Sequence, residues 1–184
     1  MASPTLDLPA LPKRIEHHVV SQELEIGYRG ATACSAAGIT YRQLDYWART
    51  SLVEPSIRSA SGSGTQRLYG FRDILVLKIV KRLLDAGVSL QNIRTAVDHL
   101  RNRGVTDLER ITLMSDGASI YECTSSDEII DLLAGGQGVF GIAVGKVWHE
   151  VEGSLLMLQG EINGEIVSGQ DNDELSLRRK SKGA

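Results

Sequence analysis

Gly38-Ile39-Thr40-Tyr41-Arg42-Gln43-Leu44-Asp45-Tyr46-Trp47-Ala48-Arg49-Thr50-Ser51-Leu52-Val53 decides how this chain is read. Thr40 has the side chain of an N-cap, and Gln43 three residues on completes a capping box. Ile39 before the cap and Leu44 in the first turn have the spacing of a hydrophobic staple. Together the two signals predict a helix over about 41–50. Leu44, Trp47 and Ala48 fall at i, i+3 and i+4 and are expected to anchor it. Tyr41, Arg42, Asp45, Tyr46 and Arg49 are left to face outward. With Gly38 as a sharp turn in front, the helix reads as the second of a helix-turn-helix. Guanidinium groups and phenolic hydroxyls on its outer face suit a helix laid in a DNA groove.

Upstream, Tyr28-Arg29-Gly30 predicts a short extended lead-in. A first helix is expected from Ala31 or Thr32 to Ala37, closed by Gly38. Ala33, Cys34 and Ala37 have the spacing of a small packed face, which reads Cys34 as a compact core residue and not a thiol sensor. Downstream, Pro55 stops any helix. Ser59-Ala60-Ser61-Gly62-Ser63-Gly64-Thr65 is a flexible loop tip. Arg58 enters it, Arg67 leaves it, and Tyr69 follows. By itself this segment fits a solvated loop and a phosphate-touching wing equally.

Order and spacing add something that the single pieces lack. Gly38-Ile39-Thr40, Arg42, Leu44-Asp45-Tyr46-Trp47-Ala48-Arg49, Leu52-Val53, and Arg67-Leu68-Tyr69 ahead of a helix with Asp73-Ile74 resemble the MerR family of bacterial transcription regulators. The resemblance covers roughly residues 26–102. It implies a winged helix-turn-helix, the loop being the wing. It implies a homodimer that places this helix in the major groove of double-stranded DNA at an inverted-repeat promoter site, with half-sites about one turn or a multiple apart. Arg42, with Tyr41 beside it, would meet bases or nearby phosphates. Tyr46, Arg49, Arg58, Arg67 and Tyr69 would grip the DNA backbone. RNA polymerase is the expected further partner.

Two departures stand out. Many members carry a basic residue where this chain has Asp45, so an acid is expected to face phosphates or bases. Many also continue into a long helix that pairs antiparallel in the dimer, whereas 104–116 leaves room for only a turn or two, near 107–110.

The 184 residues suffice for one medium or two small domains, with ordinary apolar (42%) and charged (23%) content. No apolar run has the length of a membrane span. Met1–Arg14 has no continuous apolar core after a basic start, so no secretory signal is expected. Two cysteines without a C-x-x-C point to a reducing cytoplasm. The net charge of −3 conceals a division. Residues 26–104 hold twelve Lys/Arg against five Asp/Glu, while 105–177 hold two against fourteen. A basic half can meet a polyanion that an acidic half would repel.

The periods of the remaining segments predict an α+β fold. Residues 71–86 and a helix capped by Ser89 should pack on the helix-turn-helix and fix the angle at which Arg42 is presented. Residues 105–157 read as a small α/β unit for dimerisation or an effector. In it, Asp116-Gly117 turns a hairpin, and Ser125 with Glu128 caps a helix over about 126–134 that buries Ile129, Ile130, Leu132 and Leu133. Val139–His149 is expected as one or two strands, with Glu150 and Glu152 following on one strand face. Gly138, Gly141 and Gly145 there mark a bulge or close backbone approach, and their spacing is no phosphate-loop fingerprint. Tyr121, Phe140, Trp148 and Met157 could line an apolar pocket but more simply form the core, and apolar side chains left over by this short unit are expected to meet the same surface on a second copy. Residues 1–25 form a flexible arm, and 158–184 a disordered tail whose basic end adds weak DNA contact.

No catalytic, cofactor or metal site is expected. Ser, His and acids do not fall into nucleophile-elbow or metal-hydrolase spacings. His17-His18 are adjacent side chains that rarely converge on one ion, and Cys123 and His149 are too few soft ligands for a metal sensor. The competing readings are a module whose acidic half binds a partner such as polymerase, and a small-molecule trap.

Overall fold

The computed structural model describes residues 26–62, 65–136, 140–162 and 165–168. The expected arm, with His17 and His18, and the end of the expected tail lie outside these residues. Strand β1 (Tyr28–Arg29) leads into α1 (Gly30–Ala37), which closes on Gly38 at φ 72°. That left-handed conformation suits a residue without Cβ. Helix α2 (Tyr41–Arg49) begins as its sequence dictates. Gln43 N donates to Thr40 Oγ1 at 3.2 Å, and Thr40 N donates to Gln43 Oε1 at 2.9 Å. Ile39, Leu44 and Trp47 are buried. The chain leaves α2 through Ser51, whose φ of 54° is the one positive value at a non-glycine among the described residues.

Beyond the loop, β2 (Leu68–Tyr69) pairs antiparallel with β1, Tyr28 opposite Tyr69. Arg58 and Leu68 exchange two backbone hydrogen bonds, of 3.2 and 2.9 Å, and so form the base of a wing. Helix α3 (Phe71–Asp85) is the central apolar rod, with Ile74 through Leu77, Ile79, Val80 and Leu83 buried. Asp73 secures its start. One carboxylate oxygen accepts from Gly70 N at 2.9 Å and from both the amide and the hydroxyl of Ser56 at 2.8 Å. Helix α4 (Leu90–Arg101) is capped by Ser89 and buries Ile93, Ala96, Val97 and Leu100.

The pair α3–α4 holds α2 through carbonyl groups left over at chain reversals. Arg94 donates to Thr50 O at 2.9 Å, and Arg101 to Leu52 O at 2.8 Å, just past the end of α2. Arg72 in turn closes the end of α4, donating to the carbonyls of Leu100, Arg101 and Arg103 at 2.6–2.9 Å.

A single helical turn, α5 (Val105–Leu108), leads into β3 (Thr112–Ser115) and β4 (Ile120–Cys123). The turn between these strands carries Gly117 at φ 89°, and Asp116 Oδ1 accepts from the amides of Ala118 and Ser119. Strand β5 (Phe140–Ala143) completes an antiparallel sheet in the order β4-β3-β5. Helix α6 (Ser126–Ala134) forms with its Ser125 cap, yet none of its aliphatic side chains is buried, and Ile130 and Leu133 are exposed. It lies beside the edge strand β4, where a three-stranded sheet offers no second layer to cover it.

The largest correction concerns residues 144–156. Val144–Leu156 is a helix, α7, where valines and glycines had suggested strands. Val144, Val147, Val151 and Leu155 repeat at helical spacing and are all buried, so packing against α3 and α1 outweighs the local preference of β-branched residues for strands. Glu150 and Glu152 therefore share no strand face. Glu150 meets Arg82 at 2.6 Å and Lys78 at 3.7 Å, while Glu152 lies 3.5 Å from His149. Trp148 stacks at a tilt on Phe71, centroids 4.6 Å apart, whereas Met157 is exposed rather than core.

A second correction follows at once. The expected tail begins with β6 (Gln159–Ile162) and β7 (Glu165–Ser168), an antiparallel pair. Gly27 and Glu161 exchange backbone hydrogen bonds of 2.8 and 2.7 Å, which carries the β1–β2 ladder on to this pair. Gly160 makes the approach possible, since a Cβ there would stand 2.3 Å from Ile26 Cγ2. One cluster of buried residues runs from Tyr28 to Leu155, so residue 104 divides the charge of the sequence and not its core.

Two substitutions test this packing. Gly145→Ala should lower stability by about 1–3 kcal/mol in denaturant unfolding, because its Cβ would meet Glu109 O at 2.4 Å. Helix propensity alone predicts the opposite sign, a gain of about 1 kcal/mol. Ser51→Gly should raise stability by about 1 kcal/mol by relieving the left-handed conformation; an unchanged unfolding midpoint would refute that.

Candidate nucleic-acid interface

Helix α2 is seated by Leu44 and Trp47, so its other face is presented to solvent. Tyr41, Arg42, Tyr46 and Arg49 are all exposed on it, as the sequence predicts. The wing stands beside this face. Between them runs a groove lined by Arg29, Tyr41, Leu44, Asp45, Gln66 and Arg67, with Tyr69 in its floor.

The cations of this region are not equally available. Asp45 bridges the groove, its two oxygens taking Arg67 at 2.9 Å and Arg49 at 2.7 Å. The Arg67 hydrogen bond holds the Asp45 carboxyl below the usual carboxylate range, with a further contribution from the Arg49 charge. Arg49 remains 67% exposed and Arg67 only 25%. Arg58 donates to Gln66 O at 3.1 Å and meets Glu161 at 3.4 Å. Glu161 is 5% exposed and also takes Arg29, at 3.0 Å. The acidic half of the chain thus neutralises the base of the wing.

The same pattern holds through the basic half. Eleven of the twelve Lys/Arg between residues 26 and 104 bind a carboxylate or carbonyl of this chain. Arg42, exposed in the first turn of α2, is the exception among the described residues of that half. Glu122 with Arg103, Glu150 with Arg82 and Lys78, and Glu161 with Arg29 and Arg58 tie the two halves together. Five of the twelve cations thus meet three acids of residues 105–177, so the charge division read from the sequence is in part an internal complementarity. His99, 2.7 Å from Glu122, belongs to the same seam.

Tyr69 needs a correction. It is fully buried opposite Tyr28, and burial pushes its phenol up to about 12, with the Arg67 charge pulling the other way. A side chain closed off from solvent cannot grip a DNA backbone, so Tyr69 supports the groove from beneath. Sequence reasoning missed Arg29 and Glu161. No local signal links them, because 132 residues separate the pair. Cys34 is half-buried against the core and Cys123 buried, and burial pushes both thiols up.

A capped second helix, a sharp turn before it and a strand-bounded wing define a winged helix-turn-helix protein. Residues 28–100 match the MerR HTH family regulatory protein. The chain is 62% identical over 176 residues to the uncharacterized HTH-type transcriptional regulator Rv1830 of Mycobacterium tuberculosis, covering 95% of this chain and 77% of that protein. It is 28% identical over 83 residues to the HTH-type transcriptional regulator HmrR of Sinorhizobium medicae, covering 44% and 54%. Over 74 residues it is 30% identical to heavy metal-dependent transcription regulator 1 of Rhizobium meliloti, covering 40% and 48%. The metal dependence in that name is said of that protein. The chain belongs to the MerR family of HTH-type transcriptional regulators. No helix among the described residues is long and apolar enough to cross a membrane.

The Glu161 clamp generates a measurable expectation. Glu161→Gln keeps the shape but removes the counter-ion of two half-exposed guanidinium groups. It should cost on the order of 1 kcal/mol, well under the figure for a fully buried pair. It should also speed hydrogen exchange at the Gly27 and Glu161 amides, whereas unchanged exchange would show that the backbone bridge holds by itself.

Proposed function

We propose that this transcription regulator binds double-stranded DNA sequence-specifically, as a homodimer on an inverted-repeat promoter site. Residues 26–104 supply the DNA-binding unit, and 105–157 serve dimerisation or an effector. Each copy lays α2 in a major groove and brings the wing to the adjacent backbone. Arg42, with Tyr41 beside it, meets base edges or nearby phosphates. Tyr46, Arg49, Arg58 and Arg67 hold the phosphodiester chain. The protein works in the cytoplasm, with RNA polymerase as a further partner at the promoter.

One observation supports this reading above the rest. In a half where every other cation is committed inside the chain, the one without a partner among the described residues projects from the exposed face of a rigidly seated helix. A solvated surface arginine needs no such seating, whereas an arginine that reads a groove needs its angle fixed to within about 10–20°. Arg94 and Arg101, on the carbonyls just past its end, support that fixing.

The test is selection of bound duplexes from a random pool, followed by binding across salt concentrations. A recurrent inverted repeat, with affinity falling steeply as salt rises, is the expected result. Affinity that hardly changes between low and moderate salt would remove phosphate contact, and with it this reading. Arg42→Ala should lower the ratio of selected-site to scrambled-site affinity by about tenfold or more. If that ratio is unchanged, Arg42 does not read sequence.

A further inference from the structure

Asp45 lies in the groove between α2 and the wing. Its two carboxylate oxygens take one guanidinium from the helix and one from the wing, at 2.7 and 2.9 Å. Two oxygens of one phosphate, entering the cleft between helix and wing, would offer the same two arginines the same geometry. The groove around this carboxylate is open to solvent, and Asp45 is itself a third exposed, so the site is reachable by a macromolecular anion. Any phosphate that enters must displace an acid already neutralising both partners, or lie beside it and be repelled. We propose that Asp45 is a specificity-determining residue, an internal counter-ion that withholds Arg49 and Arg67 from DNA of arbitrary sequence.

This inference rests on the DNA-binding reading above and deepens it. Non-specific affinity comes almost wholly from cations meeting phosphates, and base contacts add the discrimination. A regulator gains specificity by lowering the first term as much as by raising the second. Here the base-reading candidate, Arg42, has no partner among the described residues, while two of the expected backbone-gripping arginines share one carboxylate. On arbitrary DNA the exchange of carboxylate for phosphate brings little net gain. At a cognate site, Arg42 contacts fix the register and draw phosphate into the cleft, so the exchange occurs only there.

The experiment compares the full chain with Asp45→Asn and Asp45→Glu on two duplexes, a selected site and a scrambled one, from low to moderate salt. Thermal melting accompanies each variant, and the position, a third exposed, lies outside the core. Asp45→Asn should bind the scrambled duplex about tenfold tighter near 0.1 M salt, with log affinity steeper in log salt by about 1 for each phosphate newly held. Its preference for the selected site should fall, and Asp45→Glu, which keeps the charge, should return it toward the parent. Parental affinity and salt slope of Asp45→Asn on the scrambled duplex would overturn the inference. So would weaker binding to both duplexes, which would make Asp45 a group that positions Arg67 for DNA. If the parent binds neither duplex in a salt-dependent way, the DNA reading itself fails, a result visible before any substitution is compared.

Discussion

The burial of Leu44 and Trp47 beneath α2 is the constraint from which the rest of the molecule follows. Those two side chains turn one face of a nine-residue helix into the core, and the opposite face has no choice but solvent. A helix this short has little stability of its own in water. Its persistence rests on the capping box at Thr40, the apolar seat, and the guanidinium groups of Arg94 and Arg101 on carbonyls just past its end. The apolar rod of α3 sits under all of these. Helix α7 packs on both α3 and α1, and the acidic segment of the sequence becomes part of the platform on which α2 rests.

Electrostatics then decides what that platform displays. A strongly basic segment and a strongly acidic one could have lain apart as two surfaces of opposite sign. Instead Glu122, Glu150 and Glu161 fold back onto four arginines and one lysine of the other segment. Long-range attraction for a polyanion is reduced by this pairing, because the field of each pair falls off faster than that of a lone charge. What is left on the basic segment, among the described residues, is local: one uncommitted arginine, exposed tyrosines, and arginines whose partners are carboxylates. Such an arrangement favours close fit over indiscriminate adhesion.

The sequence made the helical half legible because its signals are local. The cap at Thr40, the turn at Gly38, the apolar period of residues 71–86 and the Ser89 cap each act within a few residues. The structure places the corresponding elements within a residue or two of the expected bounds. The acidic half was harder for a physical reason. Val144, Val147 and Val151 are β-branched, and glycines stand beside them, so local preference spoke for strands; only the surface of α3 makes a helix the better answer. Residues 159–168 gave no period that distinguishes a strand pair from a polar tail, because their partner, Gly27, lies 134 residues away. On the exposed face of α2, Tyr41, Arg42, Tyr46 and Arg49 were readable from the helix period. Tyr69 was not, because a two-residue strand between layers says nothing of which way a ring turns. The partners of Arg58 and Arg67 were hidden as well, one behind a distant glutamate and one behind an acid that the sequence offered only as an anomaly.

The bridge between Gly27 and Glu161 has a consequence for anyone dissecting the chain. Excising residues 26–104 as an independent reader of DNA would not yield the same object on a smaller scale. The excised piece would lose the counter-ions of Arg29, Arg58, Arg82 and Arg103 together, leave an edge of β1 unpaired, and uncover the apolar wall on which α7 lies. It would be stickier toward any polyanion and toward itself, and its apparent avidity would report the missing acids more than the helix.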